Sequence, residues 1–127
     1  MGEAPVTNFG GNTMFRPPVR YAPRTEAELL DILRRHRGQR IRAIGRLHSW
    51  SDVIVCEDVL LDLGYFDSVS VDADHVVVGG GCQIKRIIRE LQRTGQTLPS
   101  LGLIDEQSIA GAAAIDCASI SPSDGSV

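Results

Sequence analysis

No pair of cysteines in this 127-residue chain has the C-x-x-C spacing of a metal knuckle. Cys56, Cys82 and Cys117 are scattered, which argues against a zinc site and a disulfide framework and suits a reducing compartment. Met1 to Asn12 has neither a basic start nor an apolar run, so it does not read as a signal peptide. No stretch is apolar for long enough to cross a bilayer. Charge of one sign is also lacking. Lys and Arg number 13 against 16 Asp and Glu, a formal balance of −3, and nothing in it calls for a nucleic-acid or membrane partner. These absences predict a cytoplasmic protein with no metal, nucleic-acid or membrane partner. Its 43% hydrophobic content is enough for a buried core in one domain of ordinary size.

The residues that are present divide the chain. Met1 to Arg24 is rich in Gly, Pro and Asn and lacks periodicity, and Pro17, Pro18 and Pro23 exclude a helix there. It reads as an irregular arm. Thr25 with Glu28 three residues on matches a capping box, and Leu29, Ile32 and Leu33 share one helical face. A helix is predicted over about Glu26–Arg37, with Gly38 as its C-terminal cap. Ile41–Ile44 and Val59–Leu63 read as strands, the second apolar enough to be buried on both faces. Ser68–Val71 and His75–Val78, separated by Asp72-Ala73-Asp74, predict a hairpin. A second helix is predicted over about Gln83–Thr94, with Ile84, Ile87, Ile88 and Leu91 on one face and Gly95 as its stop. Gln96–Ala114 reads as a loop of small residues, and Ser119–Val127 as a disordered tail. The order is α+β, without the regular alternation of a doubly wound dinucleotide fold.

Four segments carry chemistry, each with a plainer alternative. Gly45-Arg46-Leu47-His48-Ser49-Trp50-Ser51-Asp52 follows a predicted strand directly. A glycine there turns the backbone with its N–H groups exposed, which suits a phosphate, and Ser49, Ser51 and Arg46 add donors and charge. The alternative is a surface loop whose histidine bonds locally. Gly79-Gly80-Gly81 leads into a helix, the context in which a helix N-terminus receives phosphate. However, Ile84 stands where the G-x-G-x-x-G fingerprint needs its third glycine, and a plain turn explains the segment as well. Cys82 beside it reads as a small buried apolar residue. The third segment, Leu98-Pro99-Ser100-Leu101-Gly102-Leu103 continuing to Gln107-Ser108-Ile109-Ala110-Gly111-Ala112, has few bulky side chains after Gln107, so backbone can approach a flat ligand there, or simply pack closely. The cluster Arg34, Arg35, Arg37, Arg40 and Arg42 has no interleaved aromatics for stacking on bases, and three of its members complement a helix dipole.

Taken in order, these segments resemble the FAD-binding domain of the vanillyl-alcohol oxidase superfamily, of PCMH type, and within it the sugar-lactone (gulonolactone-type) and alditol oxidase branch. The matching text is Asn8-Phe9-Gly10-Gly11-Asn12, Phe15-Arg16-Pro17, Pro23-Arg24-Thr25-Glu26, the Gly45–Asp52 segment, Gly79-Gly80-Gly81-Cys82, Leu98-Pro99-Ser100-Leu101-Gly102 and Ile109-Ala110-Gly111-Ala112. The resemblance implies two small α+β subdomains gripping FAD. Ile44, Gly45, Arg46, Leu47, His48, Ser49 and Ser51 would hold the cofactor on one side, and Gly102, Ser108 and Gly111 on the other. In this branch the histidine at the position of His48 is commonly bonded to the flavin 8α-methyl carbon. Family members pass a hydride from a polyol or sugar lactone to the flavin, and oxygen reoxidises it.

Relatives of this kind continue with a Thr-Gly-Thr-His-Gly-Ser-Gly-like loop, whereas here the chain reads Ala113-Ala114-Ile115-Asp116-Cys117-Ala118-Ser119. The resemblance therefore implies an arm over residues 1–15, a partial FAD-binding domain over 16–118 with an incomplete second subdomain, and a tail over 119–127. It implies a truncated product, with a frameshift near the codon for Ala113, inactive on its own and with no catalytic side chain of its own. Exposed strand edges would favour self-association. The competing expectation is a remnant or binding module that has lost its flavin.

Overall fold

The computed structural model describes residues 4–99 and 102–114. Ser100, Leu101, Cys117 and the tail lie outside the described residues. The chain divides into two compact units, Met1–Tyr65 and Phe66–Val127.

The first unit opens with strands where an irregular arm was expected. Strand β1 (Val6–Thr7) pairs antiparallel with β2 (Met14–Phe15), and β3 (Val19–Tyr21) follows at once. Prolines at 17, 18 and 23 limit β3 to three residues, too few for an alternating pattern to show. Helix α1 (Glu26–Arg35) starts at Thr25, whose hydroxyl accepts the Glu28 N–H at 3.2 Å. The Glu28 carboxylate reaches one residue further back than the capping box anticipates, to the Arg24 N–H at 2.7 Å. Ile32 is the buried residue of α1. At its end the His36 N–H still closes on Ile32 O, and Gly38 (φ +84°) turns the chain.

Strands β4 (Ile41–Ile44) and β5 (Val59–Asp62) complete a parallel three-stranded sheet of order β3-β5-β4. Val19 and Ile41 flank Val59 from either side. A central parallel strand is covered on both faces, and Val59, Leu60 and Leu61 are buried accordingly, at 0%, 0% and 3% exposure. Leu60 joins Val6, Ile44, Ile54 and Cys56 in the core of this unit, with Phe15 and Leu47 packed against it. The β1–β2 arm therefore contributes to the core through Val6 and Phe15.

The second unit follows the sequence closely at first. Strands β6 (Val69–Val71) and β7 (Val76–Val78) form the expected hairpin, with Val71 opposite Val76. Helix α2 (Ile84–Gln92) buries Ile84, Ile87 and Leu91. It ends in a Schellman pair, Gln96 N–H to Leu91 O at 3.0 Å and Gly95 N–H to Gln92 O at 3.2 Å, with Gly95 at φ +72°. Cys82, Ile109 and Ala112 complete the core, lined by the hairpin valines. Burial of each large aliphatic side chain contributes about 1.5–3 kcal/mol.

One segment differs from expectation. Ile109–Ala114, read as loop, is helix α3. Alanine has the highest helix propensity, and Ser108 ahead of an alanine-rich run was the available signal. What stands out in that sequence is its small residues, which hide the helix from a search for hydrophobic periodicity.

At the hairpin tip His75 lies between two carboxylates, with Nε2 3.1 Å from Asp72 Oδ2 and Nδ1 2.7 Å from Asp74 Oδ1. The hydrogen bond to Asp74 raises the His75 pKa against a smaller opposing desolvation, and the charges of Asp72 and Asp74 add to the rise. The same hydrogen bond and the charge of His75 lower the Asp74 pKa. The pair's support for the turn is complete below the ordinary histidine value of about 6.5 and fades as pH rises through the raised one. It is also lost in acid, as pH falls below the ordinary carboxylate value of about 4 through the lowered one of Asp74. An NMR titration of His75 should give a midpoint above that of a free histidine, and Asp74→Asn should bring it down. An unchanged midpoint in that variant would contradict the assignment.

Candidate functional site

The loop that carries most of the candidate residues leaves β4 at Ile44, which is buried and anchors it in the core. Gly45 and Arg46 are exposed. Leu47 then adopts φ +61°, a left-handed conformation unusual for a residue with a branched side chain. Such a residue costs about 1–2 kcal/mol and persists only where its surroundings enforce it. Here the Leu47 side chain packs against the core of the unit, and its carbonyl accepts the Phe9 N–H at 2.7 Å.

His48 follows, half-buried, with its ring stacked on Phe9 at a centroid distance of 4.7 Å and an interplanar angle of 10°. Its Nδ1 is buried and has no hydrogen-bond partner among the described residues. Buried polar atoms are nearly always paired, so an orphan of this kind calls for an explanation.

Ser49 and Ser51 turn towards each other, Oγ to Oγ at 3.0 Å. Ser49 Oγ also accepts the Ser51 N–H at 3.3 Å, and Ser51 Oγ caps the 3-10 turn Asp52–Ile54 by accepting the Val53 N–H at 3.5 Å. One hydroxyl donates to the other, so the pair retains a single free O–H. The serines therefore shape the loop as much as they offer donors.

The arm holds this loop from outside. Asn8 is 3% exposed and uses its whole amide. Nδ2 donates to Ser49 O at 2.9 Å and to Asn12 Oδ1 at 2.6 Å, while Oδ1 accepts the Thr13 N–H at 3.0 Å. Asn12 Nδ2 donates to Trp50 O at 3.0 Å. The Trp50 indole lies against Gly10, where a Cβ would come within 2.6 Å of Cζ3. The Asn8–Asn12 segment was recognised in the sequence as matching text without a role. Its role is to clamp the 47–50 backbone, and two asparagines around a Gly-Gly turn were the sequence signal.

The remaining candidates lie in the second unit. Gly102 is half-buried outside any regular element. Ser108 is 4% exposed and pairs with Gln83 in an isolated bridge, and Gly111 sits on α3 with its Cβ direction 3.0 Å from Ser108 Oγ. Ser108 and Gly111 are thus neighbours. The Gly79-Gly80-Gly81 turn serves the fold. The first N–H groups of α2, on Ile84 and Lys85, donate to Gln107 O and Asp105 O at 3.0 and 2.8 Å. Those of α3, on Ile109 and Ala110, donate to Cys82 O and Gly80 O at 2.8 and 3.2 Å. Both helix starts are satisfied by backbone carbonyls, which favours the plain-turn reading over a phosphate loop. Cys82 is fully buried as expected, and desolvation raises its thiol pKa, with smaller and opposing influences from Arg86 on one side and Asp67 and Glu90 on the other.

No described helix is long and apolar enough to cross a membrane.

The chain belongs to a family of FAD-binding domains, whose profile matches residues 17–119. FAD is the cofactor of this family, and the α+β fold of PCMH type expected from the sequence is the one observed. It is 57% identical over 109 residues to a long-chain alcohol oxidase from an uncultured marine euryarchaeote, covering 83% of this chain and 23% of that protein. It is 32% identical over 114 residues to the L-gulono-1,4-lactone dehydrogenase of Mycobacterium tuberculosis, covering 85% and 26% of the two chains. In three dimensions it resembles cholesterol oxidase from B. sterolicum with a TM-score of 0.78 at 22% identity, over 90% of this chain and 24% of that one. The chain thus spans about a quarter of the length of these proteins.

Proposed function

We propose that the chain is the FAD-binding portion of a flavin-dependent oxidoreductase that oxidises a CH–OH group with oxygen as acceptor. The observation that carries this reading is the buried, unpartnered Nδ1 of His48 in a loop that is strained at Leu47 and clamped by Asn8. A polar atom kept from water and given no partner suits a ligand that supplies one. This loop would hold a flavin, which would supply a hydride acceptor for the alcohol carbon and a route for the electrons to oxygen. Gly45 and Arg46 are exposed and would bring backbone and a positive charge to the pyrophosphate. Ile44 and Leu47 fix the ends of that turn in the core, and Ser49 and Ser51 share one free hydroxyl donor for it. His48 is the candidate covalent anchor: an imidazole nitrogen would bond to the flavin 8α carbon as that methyl group and the imidazole each lose a proton, the two electrons leaving through the flavin to oxygen. In the second unit Gly102, Ser108 and Gly111 are the candidate cofactor contacts.

Two substrate classes remain in competition. The order of motifs favours a sugar lactone or polyol, whereas the identity of 57% with a long-chain alcohol oxidase favours an aliphatic alcohol. A cytoplasmic location is supported by two free, buried cysteines, Cys56 and Cys82. Arg35 with Asp31 at 3.0 Å and Arg40 with Glu57 at 2.7 Å support a structural role for the arginine cluster and no nucleic-acid partner. Self-association through exposed strand edges completes the reading.

The test is to incubate the purified chain with FAD, remove free cofactor by gel filtration and record the spectrum. Flavin absorbance that travels with the protein supports the reading. A colourless protein would instead favour a remnant that has lost the cofactor.

A further inference from the structure

We propose that Phe9 is the positioning residue of His48, setting the plane of the imidazole for a bound flavin. The inference rests on the reading of the 44–51 loop as the cofactor loop and adds a residue to its machinery.

A histidine ring turns about a bond whose torsion has broad minima, so its plane is set from outside the residue. Hydrogen bonds at the ring nitrogens commonly do this, but Nδ1 has none among the described residues. The contact that defines the plane is the Phe9 ring, 4.7 Å away and within 10° of parallel. The two rings are also held in register through their backbones. Phe9 N–H donates to the carbonyl of Leu47, just before His48, and the neighbouring Asn8 amide donates to the carbonyl of Ser49, just after it. Each side of His48 is thereby tied to the arm, at 2.7 and 2.9 Å. Phe9 itself remains 64% exposed. A ring so exposed adds little to the core, so its placement is explained by the face it offers to His48.

The experiment is an FAD titration of the 127-residue chain, followed by flavin fluorescence and read on the reversible complex before any covalent bond forms, for the native sequence, Phe9→Ala, Phe9→Leu, Phe9→Tyr, His48→Ala and the Phe9→Ala/His48→Ala pair. Loss of the stack should weaken binding about three- to tenfold in Phe9→Ala. Phe9→Leu, which keeps bulk without a flat face, should behave the same way, and Phe9→Tyr should restore native affinity. Phe9→Ala should add nothing once His48 is alanine, a result that general damage to the arm would not produce. Equal weakening in both backgrounds would overturn the proposal, since Phe9 would then act on FAD or on the fold directly. So would native affinity in Phe9→Ala and Phe9→Leu where His48→Ala binds weakly. If His48→Ala binds FAD as the native chain does, or the native chain binds none, the cofactor-loop reading itself fails and this inference falls with it.

Discussion

Gly79→Ala should lower the unfolding free energy by about 3 kcal/mol, read as a shift of the urea midpoint. A Cβ at this position would stand 2.2 Å from the carbonyl oxygen of Phe66 and 2.5 Å from its carbon. Both are backbone atoms, so no rotamer change relieves the clash. The chain cannot draw back cheaply either. Gly79 N–H donates to Ser68 O at 2.8 Å, and Gly81 N–H donates to that same Phe66 oxygen at 2.9 Å. Separation breaks one or both of these bonds and moves Cys82 and Ile84, which follow directly and are buried in the core of the unit. The control is Gly80→Ala, whose Cβ would meet the Ala110 methyl at 3.2 Å, a side-chain contact that a small shift relieves. It should cost well under half as much. A Gly79→Ala chain that unfolds with the native midpoint would refute this account of the turn.

The second large effect concerns Asn8. Asn8→Ala removes three hydrogen bonds at once and leaves the Thr13 N–H and the Ser49 carbonyl without their partner. The expected loss is about 2 kcal/mol, together with weaker FAD binding, because the Ser49 carbonyl is one of the ties that fix His48. Asn8→Asp separates the two halves of the amide. It keeps an acceptor for Thr13 but sets a carboxylate oxygen against the Ser49 carbonyl and Asn12 Oδ1, which both need a donor. It should therefore be at least as damaging as alanine. Near-native stability and FAD affinity in Asn8→Asp would show that the donor side of the amide does not hold the loop.

Much of the fold was legible because its signals are local. Ile84, Ile87, Ile88 and Leu91 fall on one helical face with Gly95 behind them, and α2 stands there with its Schellman end. Thr25 and Glu28 marked the start of α1. The valines on either side of Asp72-Ala73-Asp74 gave the hairpin. What escaped the sequence depends on distant partners or on residues without pattern. Strand β3 is three residues between prolines, and it becomes a strand by pairing with β5 some forty positions later. Helix α3 has alanines where a hydrophobic stripe would show.

The candidate site follows the same division. Gly45 to Asp52 is visible as a motif, and its turn position after β4 could be predicted. The left-handed Leu47, the mutual pairing of Ser49 and Ser51, and the stacking of His48 on Phe9 could not. Leu47 and His48 depend on the arm, whose Phe9 meets both and whose Asn8 meets the Ser49 carbonyl across 41 residues of sequence.

The most direct measurement of the central claim, that His48 and its loop receive FAD, is the absorbance of the FAD-loaded chain before and after acid precipitation, with His48→Ala alongside. The account predicts flavin that stays with the acid pellet of the native chain and leaves the pellet in His48→Ala. Pellets of the two proteins with equal flavin absorbance, or no flavin taken up by either, would contradict it.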